Sequence, residues 1–116
     1  MSKRLITVTR QDLSSGYQTV QTAHAVADFA IRYPIRFIKW RLFGRYLISL
    51  ATTDKDSLEG LMKALDNLGV KFASFYEEDV KEVTAIAIQP HKLADQLTKE
   101  LPLANRVVGT KDKDNE

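Results

Sequence analysis

Hydrophobic positions change their spacing several times along the chain, and each change marks a predicted element. Leu5-Ile6-Thr7-Val8-Thr9 is rich in β-branched residues and predicts a strand. Arg10 to Gly16 carries an Asp, two Ser and a Gly, which is loop chemistry. From about Thr19 to Tyr33 the period is helical. Val20, Ala23, Ala27 and Ala30 or Ile31 form an apolar stripe, widened by Val26 and Phe29. The small alanines predict close packing of that stripe on a sheet. Gln21, His24, Asp28 and Arg32 fall on one polar stripe. Pro34 ends the helix, because the residue before a proline avoids the helical region.

Ile35 to Gly44 mixes basic and aromatic residues without a clear period. Tyr46 to Ala51 predicts a second strand. Thr53 or Asp54 can cap the next helix, where Leu58, Leu61, Met62, Leu65 and Leu68 share a face and Gly69 is the stop. Phe72 to Tyr76 predicts a third strand, Glu77-Glu78-Asp79 an acidic turn, and Val83 to Ile88 a fourth strand buried on both sides. Pro90 can open a last helix carrying Leu93, Leu97 and Leu101. The order β-α-β-α-β-β-α predicts an α/β fold. It is a single-domain, three-layer α/β/α sandwich around a four-stranded mixed sheet. The first three strands share a direction and the last two form an antiparallel pair. Residues 1–104 make the domain, and 105–116 read as a flexible charged tail.

Composition sharpens this picture. At 116 residues, 44 % hydrophobic and 28 % charged, the chain supports one globular core. It has no cysteine, which excludes disulfide scaffolds, thiolate metal sites and thiol nucleophiles. No apolar run reaches the roughly 18 to 20 residues of a membrane span, and no signal-peptide pattern opens the chain, so a cytoplasmic setting is expected. The net charge of +2 hides an asymmetry. Residues 1–50 hold eight Lys or Arg against Asp12 and Asp28, and the remainder holds nine basic against thirteen acidic residues. Such a split points to nucleic acid or to charges that simply decorate solvent faces.

Candidate chemistry clusters beyond the predicted strand ends, where ligand sites gather in α/β sheets. His24 could serve as general acid or base, with Asp28 one turn on to orient it, or be an ordinary helix histidine. His91, after Pro90, reads as a helix-start surface residue. Glu77-Glu78-Asp79 could hold a general base or a magnesium ion, or be a solvated turn. Two histidines without HExxH spacing make no metal site. Between Arg32 and Tyr46, cations alternate with aromatics. Arg36, Lys39, Arg41 and Arg45 could neutralise phosphates, and Trp40 could stack on a base. Packing of the aromatics in the core is the competing reading.

Arg10-x-Asp12-Leu13, Gly16 and Gln21-x-x-His24-Ala25 resemble the N-terminal motif of the archaeal/eukaryotic-type peptidyl-tRNA hydrolases. Thr84-Ala85-Ile86-Ala87-Ile88-x-Pro90 resembles that family's second motif, and the element order agrees over about Leu5 to Leu101. The resemblance implies a small α/β/α domain, often a homodimer. It implies hydrolysis of the ester joining a peptide to the 3′ end of tRNA, a translation-linked activity without metal or organic cofactor. Carried over by motif, Gln21 and His24 on the helix, Thr84 on the fourth strand and an acidic residue at the end of the third, Asp79 first, form the catalytic set. Arg10 joins Arg36, Lys39, Trp40, Arg41 and Arg45 as the RNA-binding set, with Tyr17. Tyr17 stands where the family has a lysine. The Asp-Ala-Gly turn of the family is replaced by Glu78-Asp79-Val80, and the loop before Gly16 is shorter. These departures make the chain a divergent relative of that pattern. They keep a second expectation open, a non-catalytic RNA- or protein-binding module on the same fold. A third is a small nucleotide or metabolite bound in the same cleft.

Overall fold

The computed structural model describes residues 2–105. Four strands form one sheet: β1 (Arg4–Arg10), β2 (Tyr46–Thr52), β3 (Phe72–Glu77) and β4 (Glu82–Ile88). Their order is β2-β1-β4-β3. β1 and β2 are parallel, and β4 runs antiparallel to both β1 and β3. β1 to β3 therefore share a direction, and the architecture is the three-layer α/β/α sandwich expected. The tail expectation covers 105–116; Asn105 is instead tied to Gln18 and Ser15 of the first helix, and residues 106–116 lie outside the described residues.

Alternation along the strands feeds two cores. Ile6, Val8, Leu50, Ile86 and Ile88 face one side, where Leu58 and Leu65 of α3 (Lys55–Asn67) and Ala94 of α4 (Lys92–Thr98) close over them. Leu5, Ala73, Ala85 and Ala87 face the other side and meet Ala25 and Phe29 of α1 (Ser15–Arg32). β1 and β4 are covered on both faces, which explains their near-continuous apolar runs. α3 starts on Asp54, whose side chain accepts from the Ser57 N–H at 3.0 Å, and stops at Gly69, which takes φ +73°. α4 is shorter than its leucines suggested. Its buried residues are Ala94 and Thr98, and Leu97 faces outward.

α1 differs from its sequence pattern in two ways. It begins at Ser15, capped by Ser14, rather than near Thr19. More importantly, it is turned about. The buried face is Gln18, Gln21, Ala25 and Phe29, and the apolar stripe faces outward, with Val20 50 % and Ile31 80 % exposed. Gln18 and Gln21 can be buried because their amides find partners inside. Gln18 Nε2 donates to the Leu13 carbonyl at 2.8 Å, and its Oε1 accepts from the Asn105 N–H at 2.9 Å.

The stretch after Pro34 is helical. α2 (Pro34–Lys39) runs into a π-helical turn (Trp40–Gly44) closed by the Arg45 N–H on the Trp40 carbonyl at 2.8 Å. Gly44 is required there. A Cβ would lie 2.7 Å from the Lys3 carbonyl oxygen and 3.1 Å from Trp40 Cδ1.

Candidate functional site

The carboxyl ends of β1 and β3, the start of β4 and the first turns of α1 meet at one end of the sheet, here called the upper end. A bulge shapes it. Phe75 pairs with Ala85 and Tyr76 with Val83, so Thr84 has no partner on β3. The extra residue turns Thr84 toward α1, as bulges near functional sites commonly re-aim a side chain. Thr84 Oγ1 then donates to Gln21 Oε1 at 3.1 Å, in a fully buried contact between residues 63 apart in sequence. Gln21 Nε2 donates in turn to Glu77 Oε1 at 3.0 Å. Thr9 Oγ1 fixes the Thr84 carbonyl at 2.8 Å. A buried amide costs stability unless both ends are satisfied, and here both are.

This chain of hydrogen bonds ends on a carboxylate near the surface. Glu77 Oε2 also accepts from the Asp79 N–H at 3.2 Å. The Asp79 N–H first, then the Gln21 amide, hold the Glu77 carboxyl below the ordinary glutamate range, with His24 adding a favourable charge interaction. Glu77 is therefore ionised at neutral pH. The His24 ring lies exposed and flat on Phe75, centroids 4.4 Å apart and planes 8° apart. Tyr17 completes the rim. Desolvation, then the carboxylates of Glu77 and Asp79, raise its phenol above the usual value.

The structure adds a contact at two of the expected positions. The first is the acidic partner. Glu77, not Asp79, offers its carboxylate to Gln21, and Asp79 enters through its backbone N–H. The second is Arg10, which is buried, 5 % exposed, with its guanidinium paired inside the protein. Its guanidinium forks onto Asp12, Nε to Oδ1 at 3.0 Å and Nη2 to Oδ2 at 2.7 Å, and its Nη1 reaches Glu82 at 2.7 Å and the Val83 carbonyl at 3.1 Å. It clamps the loop after β1 to the start of β4. The Asp12 hydrogen bond leads in raising the Arg10 pKa further, and Arg10 lowers that of Asp12.

Tyr17, Gln21, His24, Glu77, Asp79 and Thr84 are thus gathered at the upper end. Arg36, Lys39, Trp40, Arg41 and Arg45 are not. They precede β2 and belong to the opposite, lower end, about 20 Å away along seven-residue strands. The site rim is acidic instead, with Asp12, Glu77, Glu78, Asp79 and Glu82 against Lys81 and the internally paired Arg10. Phe75 and Glu82 escaped the sequence reading. Phe75 looked like one strand hydrophobe among several, and Glu82 carried no motif.

Neither a family model nor a curated protein matches the chain. Among solved structures, it is similar to a protein of unknown function from Agrobacterium tumefaciens. The TM-score is 0.65 at 14 % identity, over 86 % of this chain and 96 % of that one. The likeness shows the fold. Among the described residues no helix is long and apolar enough to cross a membrane, and no group of His, Asp and Glu could hold a metal ion.

Proposed function

We propose that the upper-end site hydrolyses the ester of a peptidyl-tRNA or a related N-blocked aminoacyl-tRNA, in a cytoplasmic setting. What supports this reading is the buried Thr84–Gln21 contact. The two motif segments that resemble the peptidyl-tRNA hydrolases converge there on one carboxylate and one imidazole. Water is the nucleophile. Its oxygen attacks the ester carbonyl carbon while Glu77 or His24 accepts its proton. The carbon–oxygen bond to the ribose then breaks, and the departing ribose oxygen takes a proton. Gln21 and Thr84 act as positioning residues that hold Glu77 in place. In this reading the Tyr17 hydroxyl donates to the substrate from the rim.

The test is release of N-blocked aminoacyl groups from tRNA by the purified protein. Glu77→Gln and His24→Ala are each expected to lower kcat by about 10²-fold, the scale of acid–base catalysis. Asp79→Asn, which keeps its N–H, is expected to lower it only a few-fold. No release above background, or undiminished release in both Glu77→Gln and His24→Ala, would remove the catalytic assignment.

One observation favours a second reading, a non-catalytic binding module. The acidic rim repels phosphate, and Tyr17 supplies no compensating cation. Tyr17→Lys separates the two. A fall in KM for the tRNA ester in that variant fits the hydrolase, and tRNA binding without turnover in both proteins fits the module.

A further inference from the structure

At the lower end, α2, the π-helical turn, the residues before β1 and the start of α4 surround a cavity of about 520 Å³. That lies within the roughly 300–1,000 Å³ of small-molecule sites. Lys3, Arg36, Lys39 and Lys92 line it, and no Asp or Glu does. None of the four makes an ion pair with a described carboxylate, since the ion pairs formed are those of Arg10 and of Lys55 with Glu59. Four like charges around one cavity repel one another unless an anion sits among them.

The apolar wall is built as carefully as the charge. Trp40 is held by its Nε1, which donates to the Tyr46 carbonyl at 2.8 Å. Phe37 packs against it at 5.6 Å between centroids. The bare Cα of Gly44 leaves room for its ring edge. Trp40 also packs, half-buried, against the second core, so the part of the indole that lines the cavity is held in a fixed orientation. Phe43, 74 % exposed, stands at the same cavity and otherwise has no burial to justify it. A flat aromatic wall beside unpaired cations suits a ligand with a planar ring at one end and concentrated negative charge at the other.

We propose that this cavity binds a nucleoside phosphate, its base on Trp40 and its phosphates among Lys3, Arg36, Lys39 and Lys92. The site is separate from Glu77 and His24 and does not rest on the hydrolase reading. The nucleotide can come free or as part of a single-stranded RNA, and the same contacts serve both.

Trp40 is the only tryptophan in the chain, so its fluorescence reports on the wall of this cavity. The full-length protein is titrated with ATP, AMP, adenosine, pyrophosphate and a short single-stranded oligoribonucleotide. Excitation is at the red edge of indole absorption, clear of the bases. Saturable quenching by ATP or AMP is expected, with adenosine at least tenfold weaker and pyrophosphate competing. Quenching by the oligoribonucleotide but not by free nucleotides also supports the site and identifies RNA as the source. Lys39 and Lys92 are both exposed. The Lys39→Gln/Lys92→Gln variant is therefore expected to fold and to bind at least tenfold more weakly. Absence of saturable quenching by every nucleotide probe, or unchanged binding in that variant, overturns the proposal. Glu77→Gln is expected to leave the quenching unchanged even where ester hydrolysis is lost.

Discussion

Arg10 shows how one side chain can serve a motif by bracing the backbone around it. Its fork onto Asp12 and its bond to Glu82 join two segments that flank the candidate site. Arg10→Leu leaves both carboxylates without their partner. The expected cost is about 2 to 3 kcal/mol in urea unfolding. That is below the figure for a fully buried pair, because the Asp12 and Glu82 side chains are 42 % and 34 % exposed. The effect is pH-dependent with a definite sign. Arg10 depresses the folded pKa of Asp12, so this stabilisation is full above the ordinary aspartate value. It is lost as pH falls through the lower folded value. The difference in urea midpoint between the natural protein and Arg10→Leu should therefore hold at neutral pH and shrink in acid. A difference that grows on acidification would contradict the assignment.

At the scale of elements, the sheet was legible in the sequence and the orientation of α1 was not. The strands declared themselves because β1 and β4 are buried on both faces, which leaves runs such as Leu5–Thr9 and Val83–Ile88 with little room for polar residues. α1 misleads because hydrophobicity ranks Val20 and Ile31 above Gln18 and Gln21, yet the glutamines find buried hydrogen bonds that no local pattern reveals. The same partners explain the candidate site. Its helix half was visible as Gln21 and His24. The choice of Glu77 over Asp79, and the aim of Thr84, depend on a turn and a bulge set by strand register. The π-helical turn was hidden too, since its spacing matches neither an α-helix nor a strand. Gly44→Ala tests it. With a backbone oxygen 2.7 Å from the added carbon, the turn must shift, and the expected loss is about 1 to 3 kcal/mol in thermal or urea unfolding. The Trp40 emission should move as the Nε1 bond to Tyr46 is disturbed.

The whole molecule presents three surfaces of different character. The upper end is acidic and carries the candidate hydrolytic groups. The lower end is basic and aromatic. Between them runs the outward stripe of α1, Val20, Ala23, Ala27 and Ile31, whose small alanines let a second helix approach closely. Two copies meeting on this stripe would make the homodimer that the family resemblance implies, an isologous contact with each helix crossing its twin. Ala27→Glu would then place two like charges at the crossing. Light scattering or sedimentation should show a dimer for the natural protein and a monomer for the variant, with tryptophan fluorescence unchanged. A natural protein that is monomeric at high concentration would rule this interface out.

Residues 102–105 run along the open edge of β2, the Ala51 N–H on the Pro102 carbonyl and the Ala104 N–H on the Ser49 carbonyl. Asn105 then stitches to α1, its Nδ2 donating to the Ser15 carbonyl and to Thr19 Oγ1. The first turn of the helix that carries Tyr17, Gln21 and His24 is thus fastened by a residue 90 positions downstream of Ser15. During synthesis, the helix emerges from the ribosome long before its fastener does. A nascent chain halted before Asn105 should be digested by protease near Ser15, and one extended well past it should resist. If both hold, the upper-end site is completed only once Asn105 has left the ribosome.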